Sequence, residues 1–247
     1  MTSSGAAVLA QPSEGPDADA VPVLEARDVT RAYGRGANRF EALRGVSVQV
    51  HHGEAIAVIG KSGSGKSTLM HLLALLDRPS SGSILLHGND AAHLSGRALS
   101  ETRNREFGFV FQQFFLIPGA TVLENVTLPL KIAGIGPRER RRRGLEALET
   151  LELQDKAANR ATDLSGGQKQ RTVIARALVT EPSVIFADEP TGNLDTATGA
   201  IVEDMLFGLN RDRGITLVVV THDADLAARC DRAVHVRDGL IEQEDAA

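Results

Sequence analysis

Cysteine is nearly absent from this 247-residue chain, with Cys230 the only one. A lone thiol excludes an intramolecular disulfide and suits a reducing compartment. Positive charge is not in excess either: 27 Lys and Arg stand against 32 Asp and Glu, a formal net charge of −5. A broad basic face, the usual footprint of nucleic-acid binding, is therefore not expected. No apolar run approaches the roughly 18–20 residues that span a bilayer. The longest, "LMHLLALL" and "TLVVV", read as a core helix and a core strand. The N-terminus lacks a basic stretch followed by an apolar one, so no secretory signal is expected. If the protein works at a membrane, another chain must cross it. Length, by contrast, is ample. A chain of this size buries roughly 70–75% of its unfolded surface, so neither a disulfide nor a structural metal is needed to hold it.

Residues 1–22 are rich in Ala, Ser, Pro, Gly and Asp without a period, and read as a disordered tail. "VLEARDV" (23–29) and "GVSVQV" (45–50) alternate as half-exposed strands do. "EAIAVIG" (54–60) is a nearly continuous apolar run, the pattern of a strand buried on both faces. A helix is expected over 66–76, then the strand "SILLHG", a polar helix near 95–106 and a strand over 107–111. From Gln112 to about Glu181 the spacing is helical and no strand is expected. "SVIFAD" (183–188) and "TLVVVTH" (216–222) resume the buried-strand pattern around a helix near 196–213, and "AVHVRDG" (233–239) reads as a last strand and turn. The expectation is a mixed α/β core over 23–247, interrupted by a helical insertion at about 113–181, with no internal repeat.

"GKSGSGKS" at Gly60–Ser67 follows the first buried strand and opens a helix. Glycines at Gly60 and Gly65 let successive backbone N–H groups curl around a phosphate, and the helix start adds partial positive charge. Lys66 suits the β- and γ-phosphates of a nucleotide, and the Ser67 hydroxyl suits Mg²⁺. The candidate nucleotide-contacting run is Gly60, Lys61, Ser62, Gly63, Ser64, Gly65, Lys66, Ser67 and Thr68. Hydrolysis also needs a metal ligand and a group that orients water. Asp188 ends the strand "VIFAD" and is expected beside the phosphate-loop strand, as a metal-holding carboxylate. Glu189 follows it as candidate general base. His222 ends "TLVVVT" at the same expected edge, as a γ-phosphate contact.

A second Ser/Gly turn, "LSGGQKQR" (164–171), opens another helix inside the insertion. It is either an ordinary Ser N-cap or an anion-binding helix start. As the latter it would bind a phosphate presented by another copy of the chain, giving a two-fold homodimer with two sandwiched nucleotides.

With these motifs in this order, the chain resembles the ATP-binding cassette (ABC) ATPases, whose signature is "LSGGQ", over about residues 23–242. The resemblance implies an α/β fold: a P-loop NTPase (RecA-like) core with an antiparallel β subdomain and an inserted α-helical subdomain. It implies ATP with Mg²⁺, and an ATP-hydrolysing subunit that drives a separate integral membrane permease by dimer closure and opening. The location implied is peripheral, at the cytoplasmic face of the cell membrane, with no nucleic acid. Tyr33 looks like the aromatic that stacks on adenine, with a buried core tyrosine as the other reading. Gln112 resembles the glutamine that touches metal and water, with Gln113 adjacent. Ser165, Gly166, Gly167 and Gln168 resemble the signature contacts, and Asp195 the aspartate that crosses the dimer seam. "ADEPTGNLD" with "ENVTLPLKIAG" is similar to the lipoprotein-releasing, macrolide-exporter and cell-division subgroup. Two departures stand out: Ala74-Leu75 where those relatives tend to carry a glycine pair, and Lys169 where a glutamine is common. "PRERRRRG" (137–144) is either a solvated helix start or a contact for anionic lipid or a partner segment. The Phe-rich stretch around Gln112 is either core or a partner's docking face. A soluble ABC ATPase acting on DNA or ribosomes is the alternative function; it would need a long coiled coil or a second cassette, and neither is seen.

Overall fold

The computed structural model describes residues 21–246; the tail expected over 1–22 lies, but for its last two residues, outside them. The chain begins with two antiparallel strands, β1 (Leu24–Tyr33) and β2 (Phe40–Val50). Then come β3 (Ala55–Ile59) and α1 (Lys66–Leu73), followed by β4 (Ser81–Leu86) and β5 (Asn89–Asp90). Next are α2 (Gly96–Glu106) and β6 (Phe107–Phe111). Four helices follow: α3 (Val122–Val126), α4 (Leu128–Ile132), α5 (Pro137–Thr150) and α6 (Gly166–Leu178). The chain then runs through β7 (Val184–Asp188), α7 (Thr196–Arg213), β8 (Thr216–Thr221), α8 (Ala224–Ala227), β9 (Arg232–Arg237) and β10 (Leu240–Ala246).

The strands form two sheets. One is antiparallel, in the order β2-β1-β4-β5; the other has six strands, in the order β10-β9-β3-β8-β7-β6. In the second sheet β9, β3, β8, β7 and β6 run parallel, and β10 closes one edge antiparallel to β9. Its central strands are apolar throughout because both faces are covered. Alternate residues make this visible. Ala57, Ile185, Leu217 and Val219 pack toward α6, α7 and α8. Ile56, Phe186, Val218 and Val220 pack toward α1 and the antiparallel sheet.

Helix ends follow local chemistry. Thr121 and Glu124 form a reciprocal capping box at α3, and Ser165 and Gln168 form one at α6. Pro137 sits in the first turn of α5, where its missing N–H costs nothing. Within that basic stretch Arg142 pairs with Glu139 and Glu146 on its own helix, as in a solvated helix face.

Three expectations need correction. Asp188 is not beside the phosphate-loop strand, because β8 lies between β3 and β7. The fully buried "TLVVVT" pairs with both and takes the inner place. The helix expected over 66–76 stops at Leu73, where the chain turns through Leu75 in the left-handed region (φ 54°). The strand over 233–239 is not the last, because β10 folds back on it as a hairpin.

Candidate active site at the carboxyl edge of the sheet

Parallel strands bring their carboxyl ends to one edge, where open α/β sheets bind ligands. Here β3 delivers Gly60–Thr68, β8 delivers Thr221 and His222, β7 delivers Asp188 and Glu189, and β6 delivers Gln112.

The phosphate loop is shaped by close backbone contact. Gly65 caps α1 at φ 113°, and a Cβ there would lie 2.7 Å from the Ala42 carbonyl oxygen and 2.9 Å from Leu43 Cδ2. Only glycine fits. No side chain caps α1, so its first N–H groups lack the usual partner and suit an anion. The Lys66 ammonium donates to the carbonyls of Gly60 (2.8 Å) and Lys61 (3.0 Å), curling back over the loop.

Glu189 stands in the left-handed region at φ 47°. Its N–H donates to the Val220 carbonyl (2.9 Å), which carries the chain across from β7 to β8. The carboxylate Oε1 accepts from His222 Nδ1 at 2.6 Å and from the His222 N–H at 3.1 Å, while Thr221 Oγ1 donates to Oε2 at 3.3 Å. This pairing raises the His222 ring's affinity for its proton. Asp188 is half-buried; desolvation, reinforced by the Glu189 charge, pushes its carboxyl above the usual range. A positive neighbour would reverse that.

Gln112 is exposed and rests on the turn after Glu189. Asn193 Nδ2 donates to its carbonyl at 2.7 Å, and its own Nε2 lies 3.4 Å from Asn193 Oδ1. Asp195 caps α7, accepting from the Thr198 N–H (3.0 Å) and hydroxyl (2.7 Å). Those bonds hold its carboxyl below the usual range. Tyr33 ends β1 with 38% of its surface exposed, which removes the buried-core reading.

The signature turn lies elsewhere in the subunit. Ser165 Oγ accepts from the Gln168 N–H (3.3 Å), and Gln168 Oε1 accepts from the Ser165 N–H (3.0 Å). Gly167 abuts α7 so closely that a Cβ would lie 2.4 Å from Thr198 Cγ2. Among the described residues no hydrogen bond joins 165–168 to the phosphate loop.

Two contacts that brace the site escaped sequence reasoning. Gln170 is 1% exposed and donates to the Pro190 carbonyl at 2.5 Å, tying α6 to the turn after Glu189. Arg176, also on α6, donates to the carbonyls of Phe115 (2.8 Å) and Phe114 (3.1 Å), just beyond Gln112. A signal did exist for Gln170: it shares the buried face with Val173, Ile174 and Ala177, a polar residue at an apolar spacing.

The family model described as ABC transporter matches residues 43–192. The chain belongs to the ABC transporter family. It is an ATP-binding cassette that hydrolyses ATP. It is 45% identical to the lipoprotein-releasing system ATP-binding protein LolD of Alcanivorax borkumensis, over 90% of this chain and 98% of that protein. It is 48% identical to the pyoverdine export ATP-binding/permease protein PvdT of Pseudomonas aeruginosa, over 92% of this chain but 34% of PvdT. Its fold is similar to that of the ATP-binding cassette MJ0796, solved as a dimer in a post-hydrolysis state with ADP and Pi. The TM-score is 0.82 at 40% identity, over 90% of this chain and 98% of MJ0796.

The donor set of this ABC cassette fits a hard divalent cation. The Ser67 hydroxyl and the Asp188 carboxylate are oxygen ligands of the kind Mg²⁺ takes beside phosphates, and the Glu189 charge beside Asp188 adds a second negative group facing that place. No described helix is long and apolar enough to cross a membrane.

Proposed function

We propose that this ABC cassette is the motor subunit of a transporter. Two copies would sandwich two ATP molecules, each held by the phosphate loop of one copy and the Ser165–Gln168 turn of the other. The observation that carries this is the separation just described: within one subunit the signature turn leans on α7 and not on the phosphate loop. With no hydrogen bond to its own phosphate loop among the described residues, the turn is read here as the site for a γ-phosphate presented by a second subunit. MJ0796, similar in fold, was solved as a dimer.

In this reading residues 23–247 make one ABC ATPase domain, with a helical subdomain at about 113–181. The run Gly60–Thr68 holds the phosphates, Tyr33 stacks on the base, and Ser67, Asp188 and Gln112 hold Mg²⁺. The metal's chemistry is to neutralise charge on the phosphate oxygens. Glu189 takes a proton from the attacking water. His222 orients that carboxylate and contacts the γ-phosphate, and Asp195 lies at the seam. Charge-assisted hydrogen bonds contribute about 1.5–3 kcal/mol each. Moving a closing equilibrium from 1:99 to 99:1 takes about 5.5 kcal/mol, so about two to four such contacts per dimer suffice.

A separate permease is the partner in this reading. PvdT carries ATP-binding and permease parts in one protein, and this chain spans about a third of it. Phe115 and Ile117, 63% and 47% exposed, lie just past Gln112 and offer that partner an apolar contact. Such docking would make the cassette peripheral at the cytoplasmic face of the membrane. LolD, named for lipoprotein release, and PvdT, named for pyoverdine export and a permease, favour the transporter over a soluble ATPase acting on DNA or ribosomes.

Glu189→Gln tests the reading. ATP should still bind, turnover should fall about 10²–10⁴-fold, and size-exclusion chromatography should show an ATP-dependent dimer. A variant that hydrolyses ATP at the parent rate, or a monomer that does so, sinks it.

A further inference from the structure

We infer that Arg31 and Asp77 are positioning residues for the nucleobase: together they clamp the Tyr33 ring so that one face alone is open. The inference rests on the reading of Tyr33 as the base contact.

Tyr33 is the last residue of β1, a place where a side chain would ordinarily swing freely. Here it is held at two points. Its hydroxyl donates to Asp77 Oδ2 at 2.9 Å, and the Arg31 guanidinium carbon sits 4.5 Å from its ring centroid. Arg31 is itself fixed by an ion pair to Asp77 Oδ1 at 2.8 Å, and the same oxygen accepts from the Arg78 N–H at 2.8 Å. One carboxylate thus gathers three donors and sets both the tilt of the ring and the cation that covers one face. Arg31 Nε is buried without a hydrogen-bond partner, so the guanidinium is aimed at the ring and Asp77 rather than toward full hydrogen bonding.

The clamp is built on the element that opens the phosphate loop. The Asp77 N–H donates to the His71 carbonyl at 3.2 Å, in the last turn of α1. Lys66 begins that helix, and eight residues of helix span about 12 Å. Across the ladder from Arg31 lies Leu43, and Leu43 packs beside Gly65. Cross-strand partners share a face, so Arg31 and Leu43 lie on the side of the antiparallel sheet toward the phosphate loop, and Arg31 lies over the Tyr33 ring there. α1 therefore sets both the phosphate loop and, through Asp77, the angle of the aromatic ring. A base stacking on the open face finds it already ordered and does not have to freeze it.

Calorimetry of the full chain with ATP and with tripolyphosphate, which has no base, tests this. Tyr33→Phe keeps the ring and removes one hydrogen bond; Asp77→Asn weakens the clamp from the other side. Each should weaken ATP about two- to tenfold, the cost of ordering one side chain on binding. The double variant should lose less than the product of the two single losses, since both remove the Tyr33–Asp77 hydrogen bond while only Asp77→Asn also weakens the Arg31 ion pair. Tripolyphosphate affinity should match the parent's throughout. The clamp is overturned if either single variant binds ATP like the parent, if the two losses multiply, or if Asp77→Asn weakens tripolyphosphate as well. Tyr33→Ala separates the two ideas. If it leaves ATP affinity unchanged, the base-contact reading itself falls; if it weakens ATP while Tyr33→Phe and Asp77→Asn do not, the clamp alone falls.

Discussion

Glu189 and His222 directly follow neighbouring strands and meet at 2.6 Å, carboxylate Oε1 to ring Nδ1. The contact is possible because Glu189 adopts a left-handed backbone angle and hydrogen-bonds across to Val220 on β8. Residues in that region carry strain of about 1–3 kcal/mol. It is met here beside the groups proposed for the chemistry, as is common at functional sites.

The pair makes His222 a pH reporter. Its pKa is raised, first by the hydrogen bond to Glu189 and then by that residue's charge. A raised folded value means the protonated pair's contribution is complete below the ordinary histidine pKa of about 6.5. It fades as pH climbs through the higher folded value. NMR titration of the His222 ring should give a midpoint above about 6.5, and Glu189→Gln should bring it down. An unmoved midpoint would remove Glu189 as the cause.

Ser165 should separate binding from assembly. Ser165→Arg fills the α6 start with a bulky cation and removes the cap. Nucleotide binding should persist, because the phosphate loop is built on β3 and α1. ATP-dependent dimerisation should fail, read by light scattering in the Glu189→Gln background. Ser165→Ala, which loses only the capping bond, should lower stability by about 0.5–2 kcal/mol in a denaturant titration. A Ser165→Arg chain that still dimerises with ATP contradicts assembly through this turn.

Leu75 tests a trade between strain and burial. It holds a left-handed angle, φ 54°, which costs a non-glycine residue about 1–2 kcal/mol. It is also 5% exposed and packs in the cluster beneath the antiparallel sheet. Losing a buried leucine costs about 2–5 kcal/mol. Leu75→Gly should therefore destabilise by up to about 4 kcal/mol net, despite the easier backbone. Unfolding at a higher denaturant concentration than the parent would mean strain outweighs packing here. Of the two positions where a glycine pair is expected in related cassettes, Leu75 alone takes the left-handed region, while Ala74 stands at φ −76°.

Local chemistry was legible one segment at a time. "EAIAVIG", "SVIFAD" and "TLVVVTH" declared buried strands because a doubly covered strand is apolar over nearly its whole length, with polar residues such as Thr216 and Thr221 at its ends. The spacing of Gly60, Gly65, Lys66 and Ser67 declared the loop because only that backbone can wrap a phosphate. The capping box of Ser165 and Gln168 is likewise a short-range matter, settled within four residues.

Partnership over long separations was not legible. Nothing in "VIFAD" says that β8 stands between it and β3, since three buried strands are equally apolar and connections of this length allow several orders. Gln170 reaching Pro190, Arg176 reaching Phe115, and Asp77 gripping both Arg31 and Tyr33 are meetings between elements. They depend on how helices seat against the sheets. By itself the amino-acid sequence determined which pieces of backbone form and which chemical groups they carry. The tertiary structure alone decided which groups touch, because polar contacts form only where packing of the apolar faces brings their atoms within hydrogen-bonding distance.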